Sequence, residues 1–121
     1  MSRGEEVHGV LHQANAATIT VIPIYIAGSD VARTLASTDR IVVTDIQVVV
    51  GATGGDVYVY IGDLAAIGTG DTVIRGTVAA NGGIAMSFIE THRWGKAGKS
   101  AYLLGPADVA DVVFTGYILG T

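Results

Sequence analysis

Along most of this chain hydrophobic and polar positions alternate with a period of two, most densely in residues 40–63, RIVVTDIQVVVGATGGDVYVYIGD. In its first run Val42, Thr44, Ile46, Val48 and Val50 share one face, and in its second Val57, Val59 and Ile61 alternate with Tyr58 and Tyr60. Alternation of β-branched and aromatic residues at this period marks strands. Gly51, Gly54, Gly55 and Asp56 between the runs suit a tight turn. The stretch therefore predicts a β-hairpin.

The same reading carries through the rest of the chain. ATITVIPIYIAG holds Ile19, Val21, Ile22, Ile24, Tyr25 and Ile26 and must be extended. Pro23 within it has no N–H for a ladder, so this strand belongs at an edge or carries a bulge. A short strand is expected at 31–35, before a turn at 37–39. Residues 71–91 predict a second hairpin around Asn81-Gly82-Gly83, a strong short-range turn signal. A loop at 92–99 leads into the strand of SAYLLG. The last strand, at 110–120, puts Val112, Phe114 and Ile118 on one face and Val113, Thr115, Tyr117 and Leu119 on the other. The opening MSRGEEVHGVLHQANA is the most polar segment and has weak periodicity. It reads as an N-terminal arm over 1–16, preceding a sandwich domain over 17–121. With about eight short strands and no convincing helix, the chain predicts an all-β, jelly-roll-like sandwich in a single domain.

Composition sharpens this picture. Half of the 121 residues are hydrophobic and 15% are charged, whereas a quarter charged is usual. The runs 19–26, 41–50 and 112–119 are apolar on both faces, and a sandwich strand has only one face to bury inside. The second face needs another cover, and a self-association interface provides it. A net charge of -4 argues against nucleic-acid binding. No apolar run approaches the ~18 residues of a membrane helix, and the first ten residues lack the apolar core of a secretory signal. Cysteine is absent, which excludes disulfides and thiolate metal sites in this sequence.

Motifs with chemical content are few. GKAGKS at 95–100 resembles a phosphate-binding loop, but the Walker pattern needs glycine where Arg93 stands and a helix where a strand follows. His8 and His12 would point the same way on a strand, yet no third ligand has metal-site spacing. His92 beside Glu90 has no nucleophile elbow to serve. The aspartates sit mostly at strand ends, where they serve turns, and do not fit a calcium loop. These readings predict a protein that is not an enzyme and carries no cofactor or metal. What stands out is the loop HRWGKAGK, which gathers Arg93, Lys96 and Lys99 around the single tryptophan, Trp94. Trp and Arg are the residue types enriched at binding hot spots. With Arg3, Glu5, Glu6, Val7 and Leu11 of the arm, these residues form the expected partner-binding set.

The C-terminal GKSAYLLGPADVADVVFTGYILG resembles the end of small all-β structural proteins of tailed bacteriophages. In those a Gly-Lys-x-x-Tyr strand, a short turn and a final strand ending in Gly-Tyr close the fold. The matching residues here are Gly98, Lys99, Tyr102, Gly116 and Tyr117, and the turn before NGGIAMSF is similar in manner. The resemblance covers roughly the last 80 residues. It implies a jelly-roll head-decoration protein of the virion surface, a homotrimer bound to the major capsid protein, without catalytic residues. The alternative is a carbohydrate-binding jelly roll of a phage receptor-binding tip, with Trp94 and a tyrosine as stacking platforms.

Overall fold

A computed structural model describes residues 5–63, 71–88, 93–94 and 96–120, with the backbone alone at Asp71, Arg93 and Trp94. The strands are β1 (Glu5–Gln13), β2 (Thr20–Val21), β3 (Ile24–Ile26), β4 (Arg40–Val50), β5 (Gly55–Gly62), β6 (Asp71–Val78), β7 (Gly83–Ser87), β8 (Arg93–Trp94), β9 (Ser100–Leu104) and β10 (Ala110–Leu119). They form two antiparallel sheets. The larger runs β3-β1-β10-β4-β7 with β8 added beside β4, and the smaller runs β2-β9-β5-β6. Without the short β3 and β8, the order is β1-β10-β4-β7 over β2-β9-β5-β6, the interleaved arrangement of a jelly roll. The expected all-β sandwich is what forms.

The connections explain the order. Residues 14–19, 51–54, 79–82 and 105–109 all cross between the sheets, and they bond to one another at one end of the sandwich. Gly105 N donates to Ala16 O (2.8 Å), Ala16 N to Asp108 O (3.0 Å), Gly51 N to Val109 O (3.0 Å) and Asn81 N to Gly51 O (2.7 Å). The Asp108 carboxylate accepts from Thr53 N (3.1 Å) and Val109 N (2.7 Å). The Val109 N–H first, then the Thr53 side chain and N–H, hold its carboxyl below its ordinary range.

Both expected hairpins are corrected by this topology. β4 pairs with β10, β7 and β8, while β5 pairs with β6 and β9, so residues 40–63 form an arch between sheets. The Asn81 turn exists, with Asn81 at φ 57° and Gly82 N donating to Ala79 O (2.9 Å), but it joins β6 to β7 in the opposite sheet. Alternation and turn residues specify two strands and a reversal, and an arch satisfies them as well as a hairpin. The buried residues decide: Ile46 and Val48 of β4 meet Val57, Val59 and Ile61 of β5 across one core. The ladder between consecutive strands is β5–β6, from Gly55↔Val78 to Ile61↔Asp71.

The N-terminal arm is also corrected. Residues 5–13 are a full strand between β3 and β10, in register from Glu5↔Ile118 to Gln13↔Ala110. Val7 lies in the core and Leu11 packs against it. The periodicity looked weak because Gly9 holds a core position without a side chain. A Cβ there would come within 2.0 Å of the Phe114 ring, which lies across β1 in its place.

Residues 31–35, expected as a strand, are irregular. Arg33 fixes them, donating through Nε to Glu5 Oε1 (2.7 Å) and through Nη1 to Asp39 Oδ2 (2.9 Å). Pro23 behaves as expected. It separates β2, at the edge of the smaller sheet, from β3, at the edge of the larger one.

Candidate functional site

The outer face of the larger sheet carries the most distinctive surface. On β1 the outward positions are Glu6, His8, Val10 and His12, and on β10 they are Asp111, Val113, Thr115 and Tyr117. β4 adds Asp45, Gln47 and Val49, and β7 adds Ala85 and Ser87. Register places Val10 directly opposite Val113, with 41% and 47% of their surfaces exposed, and Val49 diagonal to Val113 at 36%. Pairs this close on one face act as a unit, so these residues form an apolar strip in solvent.

Polar groups flank the strip on both sides. Toward one end His12 pairs with Asp111 on the neighbouring strand. Toward the other, a row crosses the sheet through Tyr25, His8, Thr115, Asp45 and Ser87. His8 stacks on Tyr25 with ring centres 5.7 Å apart. Asp45 accepts from Ser87 Oγ (2.5 Å) and Thr115 Oγ1 (3.2 Å), and Thr44 Oγ1 donates to Thr115 O (3.1 Å). The Ser87 bond, followed by those of Thr115 and Thr44, outweighs desolvation and holds the Asp45 carboxyl below its ordinary range. A shallow groove of about 360 Å³ runs over Asp45, Gln47, Ala85, Ser87, Val113 and Thr115.

The smaller sheet presents a different outer face. Tyr58, Tyr60 and Tyr102 form a ladder across it, with centres 5.3 Å apart for the first two and 5.5 Å for the last two. Arg75 lies 5.4 Å above the Tyr58 ring, and the Tyr58 hydroxyl bonds Thr72 Oγ1 (3.1 Å). Tyr60 is wholly buried and Tyr58 is 8% exposed. Burial, followed by the neighbouring Tyr102 and Tyr58, pushes the Tyr60 hydroxyl pKa up.

The residues expected to bind a partner divide. Val7 and Leu11 belong to the core, and Glu5 is an anchor for Arg33. Glu6 is exposed on the outer face, opposite Tyr117. Arg93 and Trp94 form β8, their backbone paired with Val43 and Val42. Lys96 is exposed, and Lys99 donates through Nζ to Asp63 Oδ1 (2.6 Å). Arg3, Glu90 and His92 lie outside the described residues. β1 and β8 flank β10 and β4 at the same end of the larger sheet, so the two expected segments share one sheet three strand spacings apart, about 14 Å. The structure therefore joins them through the sheet rather than into one cluster.

The loop that resembles a phosphate cradle is a structural turn. Gly98 takes φ 74°, its N–H donates to Asp39 O (2.7 Å), and a Cβ there would stand 3.1 Å from Ser37 O. His8 and His12 do share a face, but each is engaged by a different neighbour. Among the described residues no group of three or more His, Cys, Asp or Glu converges to hold a metal ion.

No protein-family model matches this chain, and no curated protein matches it. Among solved structures it is similar to one described with the words "Bacillus endospore appendages form a novel family of disulfide-linked pili". The alignment covers 100% of this chain and 94% of that one, at 16% identity and a TM-score of 0.48. The likeness concerns the overall fold alone. The present 121 residues contain no cysteine, so links of the disulfide kind are not open to them.

Sequence reasoning missed the Val10–Val113 strip because Val10 lay in the supposed arm. The signal was available: Glu6, His8, Val10 and His12 alternate with Val7, Gly9 and Leu11 once glycine is allowed as a core position.

Proposed function

We propose that this chain is a structural subunit that works by packing against other protein chains, and specifically a tailed-phage head-decoration protein that sits on the capsid as a homotrimer. The observation that carries the packing role is the strip of Val10, Val113 and Val49, exposed at 41%, 47% and 36% in the middle of a regular sheet. An apolar centre rimmed by polar groups is the usual make-up of a protein–protein contact. Here the rim is supplied by His12–Asp111 on one side and the Asp45 row on the other.

The capsid assignment rests on the C-terminal resemblance. The residues that carry it hold the closing strands: Gly98 makes the turn before β9, Tyr102 joins the tyrosine ladder, and Gly116 stands opposite the extra residue that shifts the register of β4. The partner is then the major capsid protein. Pelleting with undecorated capsids tests the assignment. The wild-type protein is expected to co-sediment, and the variant Val113→Glu to remain in the supernatant. Wild-type protein left wholly in the supernatant would overturn it.

The carbohydrate-binding alternative needs aromatic rings open to a sugar face. Tyr60 at 0% exposure and Tyr58 at 8% are packed and cannot serve, which leaves the half-buried Tyr25 and Tyr102 as the tyrosines for that role.

A further inference from the structure

Every open sheet has edges, and an unguarded edge is a template for another strand. Three edges of this sandwich carry guards. β2 and β3 have 2 and 3 residues and are interrupted by Pro23. β6 has a register shift opposite Val59/Tyr60 and exposes Arg75 at its middle. β7, GIAMS, carries no charge, no proline and no bulge, and among the described residues no strand pairs with its far edge.

The hydrogen-bond phase shows what β7 offers. Phe88 N donates to Thr44 O (2.7 Å) and Val50 N to Gly82 O (2.9 Å), so the even-numbered residues 82–88 bond toward β4. In an antiparallel ladder the alternate residues then turn their N–H and C=O groups away. Those residues are Gly83, Ala85 and Ser87, and their groups face the open side. Met86 has 44% of its surface exposed although its neighbour Ile84 packs on the core.

We propose that the β7 edge pairs with β7 of a second copy across a two-fold axis at Ala85. The sequence of β7 is suited to itself. Antiparallel pairing centred on Ala85 sets Gly83 opposite Ser87 and Ile84 opposite Met86, giving about six backbone hydrogen bonds. No like charges meet, which is what pairing of identical strands requires. On the inner side the partner's Ile84 covers Met86, so the apolar row of Val48 and Ile84 runs on across the joint. On the outer side only Gly, Ala and Ser meet. A five-residue edge is far smaller than the ~800 Å² per partner of a standard interface. The contact is therefore weak in dilute solution and effective where copies are held side by side, as on an assembled surface. It stands apart from the trimer reading, because it uses an edge and not the outer face.

The test uses the absence of native cysteine. Opposed residues of a hydrogen-bonded antiparallel pair have Cα atoms about 5.5 Å apart, within disulfide range. Ala85→Cys is expected to form covalent dimers under mild oxidation at least about tenfold faster than Val31→Cys, a control in an exposed irregular segment, at the same ~100 μM concentration. Ala85→Pro, which gives up an N–H that β4 does not use, is expected to abolish the rise in mass of the native protein with concentration. Equal rates for the two cysteine variants, or an unchanged concentration dependence in a folded Ala85→Pro protein, would overturn the proposal. Rapid Ala85→Cys dimers in a protein that never reaches trimer mass would keep the edge contact and remove the trimer. Trimer mass without them would do the reverse.

Discussion

Gly9 and Asp108 show how single residues hold this fold. Gly9 leaves room for the Phe114 ring, whose atoms lie 2.0–2.5 Å from where a Cβ would stand. Filling that space forces the ring or the strand to move, an overpacking cost of about 1–3 kcal/mol or more. Gly9→Val is expected to lower the unfolding free energy measured by urea titration by that amount, while Val10→Thr on the outward side changes it little. Asp108 acts through its charge. Its folded-state carboxyl titrates below the ordinary 3.8 because the Val109 N–H, and after it the Thr53 side chain and N–H, bond the carboxylate. The stabilisation is complete above that ordinary value and is lost as pH falls through the lower folded one. Asp108→Asn is therefore expected to lower the melting temperature at neutral pH and to flatten its acid limb. An acid limb as steep as the wild type's would show that Asp108 contributes nothing there.

Among the strands, β1 departs furthest from a plain reading of the sequence. It sits between β3 and β10, pairs along nine residues and brings Val7 to the core. Deleting residues 2–13 exposes the ladder edge of β10 and the inner face under Leu11, so the truncated chain is expected to lose its cooperative unfolding transition. A truncated protein with the wild-type melting curve would return these residues to the role of an arm. The strands themselves were legible, since β4, β5, β9 and β10 stand where alternation placed them. Partner choice was not. The glycines at 51–55 and the Asn81 turn specify reversals, but whether a reversal stays in one sheet depends on apolar faces meeting from distant parts of the chain. Phe114 filling the gap at Gly9 is such a long-range fact, as are the bonds among the crossing loops. Of the binding set, Glu6 lies on the outer face, whereas Val7, Leu11 and Glu5 were assigned outside roles because their strand had not been recognised.

For the whole molecule, the role proposed for the outer face of the larger sheet is contact with other chains. A standard interface buries ~800 Å² per partner, and apolar area contributes ~25 cal/mol per Å² before association entropy is subtracted. The valine strip and its polar rim occupy the centre of that face. Placing one carboxylate at its middle would bury an unpaired charge in the contact, at a cost far above that of losing the valine. The most direct measurement is the native mass by light scattering at micromolar concentration, for the wild type and for Val113→Glu. About three times the 12.4 kDa chain mass is expected for the wild type and the chain mass itself for the variant, with the two equally folded by circular dichroism. A wild-type monomer, or a Val113→Glu protein with unchanged oligomer mass, would contradict it.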